Sequence, residues 1–149
     1  MKNIYYWSPC LSKVGTYTST INSAISLAKL SNKFSVKIIN VCGEWNSKKK
    51  IFEQNNVELI NLGFNYFNFL PKTGFIKSRI SYFIIFLISF IPLIMLIKNR
   101  KPDYLIIHLI TSLPIFLSKF LNTQTRFILR ISGYPKLTIM RKMLWKYFS

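Results

Sequence analysis

Apolar positions along this chain fall into two alternating rhythms. Short runs rich in β-branched and aromatic residues stand at 3–7 (NIYYW), 34–43 (FSVKIINVCG), 57–63 (VELINLG), 102–109 (PDYLIIHL) and 125–133 (TRFILRISG), and they read as five strands. Between them lie segments of helical spacing. In TYTSTINSAISLAKLSNK, Ile21, Ala24, Ile25 and Ala28 share one face with Leu27 beside them, and Thr16 or Thr18 is suited to cap the helix. SKKKIFEQNN is polar and short, a loop or a small helix, and FNYFNFLPKTG is an irregular aromatic connection. TSLPIFLSKFLN reads as a helix with Pro114 in its first turn, where proline costs no hydrogen bond. YPKLTIMRKMLWKYFS reads as a loop followed by a helix. Several strands are almost unbroken apolar runs, the pattern of a parallel sheet covered on both faces, so the expected class is α/β with about five strands.

The segment SYFIIFLISFIPLIMLI complicates this alternation. No charged residue occurs from Ile80 to Ile97, and Lys77, Arg79, Lys98, Arg100 and Lys101 bracket it. About 18 apolar residues suffice to cross a bilayer. A single crossing at 80–97 would put three strands on one side of the membrane and two on the other, and no sheet could form. Cations at both ends also give no orientation under the positive-inside rule. A crossover helix that packs on the sheet, with part of its surface free to touch lipid, reconciles the segment with the strands around it.

Composition adds an electrostatic constraint. The 149 residues carry 21 Lys and Arg against 4 Asp and Glu, a formal net charge of +17, which points to an anionic partner. Lysine enrichment alone also follows from an AT-rich coding sequence, but that does not explain the scarcity of carboxylates. Half of the residues are hydrophobic, which argues against disorder, and the length suits one domain. Cys10 and Cys42 have no metal-ligand spacing, and with His108 as the only histidine no metal site is expected. Two reduced thiols in a cytoplasmic setting are the expectation, since MKNIYYWSPC lacks the form of a signal peptide.

The chemistry open to the chain is narrow. The four carboxylates are Glu44, Glu53, Glu58 and Asp103, and no Asp-x-Asp pair, P-loop or G-x-G-x-x-G turn occurs. Glu44 reads as a loop residue and Asp103 as a strand-entry residue, five positions before His108 and therefore on the opposite face. In an open parallel sheet ligands bind beyond the carboxyl ends of the strands. Those ends carry SPCLSKVGT, CGEWN, HLITS and SGYPK here. Gly15 and Thr16, just ahead of the first helix, can bring backbone amides and the helix dipole to a phosphate, although a glycine there equally makes a plain tight turn. His108 at the end of the fourth strand can bond a sugar or phosphate, or serve as acid or base; a lone histidine on an apolar strand is otherwise a core residue.

NIYYWSPCLSKVGTYTSTINSAISLAK, RKPDYLIIHL and RFILRISGYPKL…RKMLWK together resemble the N-terminal half of a bacterial family-4 glycosyltransferase, of the retaining GT-B type. The likeness runs along essentially the whole chain: a glycine loop after the first strand, a long apolar helix, a KPD strand ending in histidine, and a basic segment after the next strand. It implies a single Rossmann-like domain at 1–149 that holds the acceptor, without the C-terminal nucleotide-sugar domain, and a metal-independent transfer of a sugar from a nucleotide sugar to a surface-glycan acceptor such as a lipid-linked saccharide. The nucleotide sugar is then a substrate, and no cofactor is implied. By the same likeness His108 contacts the transferred sugar as the catalytic candidate, Gly15 and Thr16 approach the donor phosphate, and Ser132, Gly133 and Tyr134 stand on the acceptor side. The expected partners are that acceptor, an anionic membrane at its cytoplasmic face and a separate donor-binding chain or domain, with no nucleic acid. The pathway implied is lipopolysaccharide, capsule or a related surface glycan.

The tail supports the membrane expectation. In KLTIMRKMLWKYFS, Leu137, Met140, Leu144, Tyr147 and Phe148 repeat at helical spacing, while Arg141, Lys142 and Lys146 are offset from them. Lys136, Arg141, Lys142, Trp145 and Lys146 are therefore the candidate membrane contacts. Two other readings stay open on sequence alone: a small single-span membrane protein without catalysis, and a basic nucleic-acid binder, the latter with only Lys48 to Lys50 as a charge run.

Overall fold

The structure, a computed structural model, describes residues 1–12, 15–108 and 113–131 together with Ile139, Lys142, Met143 and Lys146. Its centre is a five-stranded, all-parallel sheet: β1 (Lys2–Trp7), β2 (Phe34–Asn40), β3 (Val57–Asn61), β4 (Tyr104–Ile107) and β5 (Arg126–Leu129), in the order β3-β2-β1-β4-β5. This is the Rossmann-like order, with the strand sequence reversing between β1 and β4. The register across that reversal runs from Ile4 opposite Tyr104 to Trp7 opposite Ile107.

Four α-helices are delimited among the described residues: α1 (Gly15–Leu30), α2 (Lys49–Gln54), α3 (Phe75–Arg100) and α4 (Leu113–Ser118). Strand alternation divides the core between the two faces. Ile4, Tyr6, Val36, Ile38 and Val57 point to one side, where Tyr17 and Ala24 of α1 and Phe52 of α2 bury against them. Tyr5, Trp7, Ile39, Leu105 and Ile107 point to the other, against Leu93 and Ile97 of α3 and Leu113 and Leu117 of α4. Side-chain hydrogen bonds stitch α1 to β1: the hydroxyls of Tyr6 and Ser23 lie 2.9 Å apart, and Thr20 donates to Ser8 at 2.9 Å. Ala24, without a bulky side chain, is fully buried between them.

The fate of the long apolar segment is now plain. α3 is the crossover from β3 to β4, and β4 pairs with β1. A bilayer crossing at this point would separate those two strands. Only about a third of the helix's apolar stretch is buried, however. Leu93, Ile97 and Ile85 face the sheet, while Phe83, Leu87 and Ile91 on the outer side are more than half exposed.

The elements depart from the sequence reading mostly at their ends. α1 begins at Gly15, so Thr16 and Thr18 lie inside the helix and not at its cap. α3 extends past 80–97 in both directions because its first and last turns are charged; it stops at Lys101, whose left-handed backbone (φ 42°) directs its N–H back to the carbonyl of Ile97. β2 ends at Asn40, short of Gly43, because side chains replace the ladder there: the amide of Asn40 bonds Asn46 and Asn61, and the carboxylate of Glu44 accepts from the N–H groups of Val41 and Cys42. Gly43 needs its missing side chain, since with φ at 97° a Cβ would stand 2.5 Å from Asn65 Oδ1. β4 begins at Tyr104, after Asp103 has accepted hydrogen bonds from the Asn3 N–H at 2.7 Å and the Lys2 ammonium at 3.1 Å. Asp103 is thus the strand-entry residue expected from the sequence, and it clamps β1 as well.

Because α3 is buried on one side only, its two sides should respond differently to truncation. Leu93→Ala, at a fully buried site, is expected to lower unfolding free energy by about 2–5 kcal/mol. Leu87→Ala, on the outer side, should change it by no more than about 0.5 kcal/mol. Urea unfolding followed by circular dichroism checks both; equal losses would mean that the outer side is also packed.

Candidate functional site

The strand order reverses between β1 and β4, and at such a reversal an open parallel sheet takes its ligands in a crevice outside the carboxyl edge. β1 leads into it through Ser8 and Cys10, both buried. The hydroxyl of Ser8 receives a hydrogen bond from Thr20, whose own position is held by donation to the carbonyl of Thr16, all within the first turns of α1. Gly15 and Thr16 are thereby the first residues of a 16-residue helix whose amino end stands over the strand termini. The partial positive charge of such an end attracts an anion.

His108 is the first residue after β4, and its N–H reaches the carbonyl of Trp7 at 3.4 Å. It continues the side of the strand that carries Tyr104 and Ile106, and its ring lies 6.1 Å from that of Tyr6 at an angle of 28°. The residue is 7% exposed, and its Nε2 has no hydrogen-bond partner. A buried polar atom left in this condition costs about 1–3 kcal/mol. Arg130, which follows β5 and bonds the Ile107 carbonyl through its N–H at 2.7 Å, adds a positive charge near the ring. Burial first, and the Arg130 guanidinium second, lower the His108 pKa to about 4. The imidazole is therefore neutral at pH 7, able to hold a hydroxyl hydrogen bond and to act without carrying charge of its own.

Among the described residues five buried side-chain polar atoms have no partner: His108 Nε2, Tyr17 Oη, Trp45 Nε1, Tyr66 Oη and Ser89 Oγ. Tyr17 and Trp45 belong to the core on the Tyr6 and His108 side of the sheet, and Tyr66 packs on the other side. Trp45 stacks on Tyr17 at 4.7 Å and 9°, which ties the turn after β2 to the first turn of α1. Native interiors satisfy nearly all buried polar groups, so these atoms are exceptions among the described residues.

The acidic and thiol groups nearby offer no nucleophile. Glu44 is buried, and its carboxylate turns back to accept from Val41 and Cys42, with burial raising its pKa above the ordinary value. Desolvation pushes the Cys10 thiol up to about 11 and the Cys42 thiol further, the neighbouring Glu44 charge adding to the latter. Both cysteines are free. No group of three His, Cys, Asp or Glu side chains able to hold a metal ion occurs among the described residues.

Of the residues proposed from sequence, the fold brings His108, Gly15 and Thr16 to the same edge. Ser132, Gly133, Tyr134, Lys136, Arg141 and Trp145 lie outside the described residues. Lys142 and Lys146 are helical and exposed, with Ile139 and Met143 exposed beside them. Sequence reasoning missed Arg130, Ser8, Tyr17 and Tyr66. Arg130 had a signal, since Arg126, Ile128 and Arg130 alternate as Tyr104, Ile106 and His108 do in the paired strand. Comparisons with protein families, with curated proteins and with solved structures return no match for this chain.

Two outcomes follow for the titratable groups. A folded-state pKa below the unfolded value means that the unfolded chain binds the proton more readily. His108 therefore supports stability above pH 6.5, and that support is lost as pH falls toward 4. The difference in unfolding free energy between the native chain and His108→Gln should shift by roughly 2–3 kcal/mol over this range, to the native chain's disadvantage at low pH. Glu44 titrates in both proteins and cancels in the difference; a flat difference would show the imidazole to be solvated. For the thiols, Ellman's reagent at pH 8 should find Cys10 and Cys42 almost unreactive in the folded chain and both reactive in guanidinium, and rapid reaction while folded would contradict their burial.

Proposed function

We propose that this domain works in glycosyl transfer from a nucleotide sugar to a glycan or lipid-linked saccharide acceptor, and that the sugar is received in the crevice at the carboxyl edge. The observation that carries this reading is the buried, unpartnered Nε2 of His108 beside the strand-order reversal. A neutral imidazole suits a sugar hydroxyl, which is uncharged and both donates and accepts. Arg130 and the amino end of α1 supply positive potential for the phosphates that leave with the nucleotide.

In the reaction an acceptor hydroxyl attacks the anomeric carbon, the bond from that carbon to the phosphate oxygen breaks, and the nucleoside diphosphate leaves with the electron pair. The hydroxyl proton passes to that departing oxygen. No covalent enzyme intermediate is called for, in keeping with thiols held protonated and a Glu44 carboxyl engaged by its own turn. The protein's contribution is orientation of the sugar and stabilisation of the diphosphate charge.

Saturation-transfer NMR of the full chain against a panel of nucleotide sugars and short saccharides tests the reading. At least one sugar ligand should receive saturation, and His108→Ala should reduce it about fivefold or more, the order expected for one lost hydrogen bond in a buried site. Far-UV circular dichroism should show His108→Ala still folded, so that a lost signal reports the site and not unfolding. Absence of saturation for every sugar, or its persistence in the variant, would sink the proposal.

A further inference from the structure

The end of the sheet opposite the crevice carries a second, unassigned feature. A cleft of about 710 Å³ opens at the amino edge, between the last turn of α3, the entries of β1, β4 and β5, and the 122–125 connection. Lys2, Lys98, Lys101 and Arg126 line it with positive charge. Its one carboxylate, Asp103, is already engaged by Lys2 and by the Asn3 N–H. Thr123, Thr125, Asn122 and Gln124 complete a polar wall. The volume lies within the range of small-ligand pockets, and the charge balance selects an anion.

An exposed apolar stripe leads to this cleft. Along α3, Ile76, Ile80, Phe83, Leu87, Ile91 and Met95 recur every three or four residues, and each is more than half exposed. Lys98, a cleft residue, stands three positions past Met95 in the same helical register. The stripe is about 29 Å long at 1.5 Å per residue. Phe116 of α4 and Phe120 in the turn after it widen the stripe, their rings 4.8 Å apart. An apolar patch of this extent on a surface with so few carboxylates is unusual for a chain that meets water alone.

We propose that the outer side of α3 and the basic cleft at its carboxyl end form one docking surface for an anionic lipid bilayer, with the cleft receiving a phosphate headgroup while the stripe lies among the acyl chains. Charge complementarity and contiguity select this occupant. A protein partner would need to bring anionic and apolar surfaces in the same order, whereas a bilayer presents them in that order everywhere. The helix lies in the membrane plane because its inner side is committed to the sheet, and an interfacial helix enters only about 5–10 Å. The sheet then lies parallel to the membrane and the carboxyl-edge crevice opens along it. The proposal does not depend on what that crevice binds.

Vesicle flotation of the full chain tests it, with neutral phosphatidylcholine vesicles set against vesicles containing phosphatidylglycerol. The chain should float with the anionic vesicles and lose most of that binding in high salt. Removing the cleft charges with Lys98→Gln, Lys101→Gln and Arg126→Gln should lower partitioning about tenfold or more, since each cation near an anionic surface is worth about a fivefold factor. Lys48→Gln, Lys49→Gln and Lys50→Gln remove the same charge on the opposite side of the sheet and should change partitioning less than about twofold. Leu87→Ser with Ile91→Ser, both at exposed positions, should also release the chain while it remains folded by circular dichroism. Equal binding to neutral vesicles, equal loss with the Lys48–Lys50 set, or a stable dimer in light scattering that the serine pair dissolves would each overturn the proposal, the last by making the stripe an interface between copies.

Discussion

The pairing of β1 with β4 is the contact on which the rest of this molecule depends. It joins residues about a hundred positions apart, in register from Ile4 opposite Tyr104 to Trp7 opposite Ile107, and Asp103 clamps its entry by accepting from Asn3 and Lys2. Three consequences follow from this single long-range ladder. The sheet closes into one layer from two segments of chain. The strand order reverses there, at the edge where the candidate site lies. And α3, the connection between the segments, is drawn down onto the sheet and cannot cross a bilayer on its own. Such a ladder is slow to form, because the loop must close before the contact rewards it.

The class of the fold and the succession of its elements could be read from the chain because burial on both faces leaves a clear trace: nearly unbroken apolar runs such as YLII and IYYW, separated by segments of helical spacing. Boundaries were harder to read, and the reasons are local. β2 stops at Asn40 where the amides and carboxylate of Asn40, Asn46, Asn61 and Glu44 take over the hydrogen bonding, a substitution that hydropathy does not register. α3 runs on past its apolar stretch because Lys98 and Arg100 are good helix formers. Glu44 read as an ordinary loop residue, whereas its carboxylate is buried and organises the turn.

The same holds for the candidate site. His108 stood out because it is the only histidine and ends a strand, and strand ends on one edge of a parallel sheet converge whatever their order. The unsatisfied state of its Nε2 was beyond the reach of sequence, since that depends on what Tyr6, Arg130 and the β1 exit bring around it. Tyr17 and Trp45 show the limit more sharply. They lie 28 positions apart on different elements, yet their rings stack in parallel at 4.7 Å, and only the α1–β2 packing puts them together.

α3 shows why length and hydropathy alone could not decide between core and membrane. A soluble crossover helix needs one apolar side, and a spanning helix needs apolar residues all round. α3 has the second composition in the first position: Leu93 and Ile97 are fully buried on the sheet, and Ser81 and Ser89 are buried with them, while Phe83, Leu87 and Ile91 face outward. The hydroxyl of Ser81 donates to the carbonyls of Pro71 and Lys77, whereas that of Ser89, equally buried, has no partner. The outward side chains of Phe83, Leu87 and Ile91 are hydrocarbon alone. A helix built in this way needs protein on its inner side and leaves a long apolar surface on its outer side. The fold supplies that protein through the β1–β4 ladder, and in the docking proposed above the cations at the helix ends, Lys77 at one and Lys98, Arg100 and Lys101 at the other, are the charges that would meet an anionic surface.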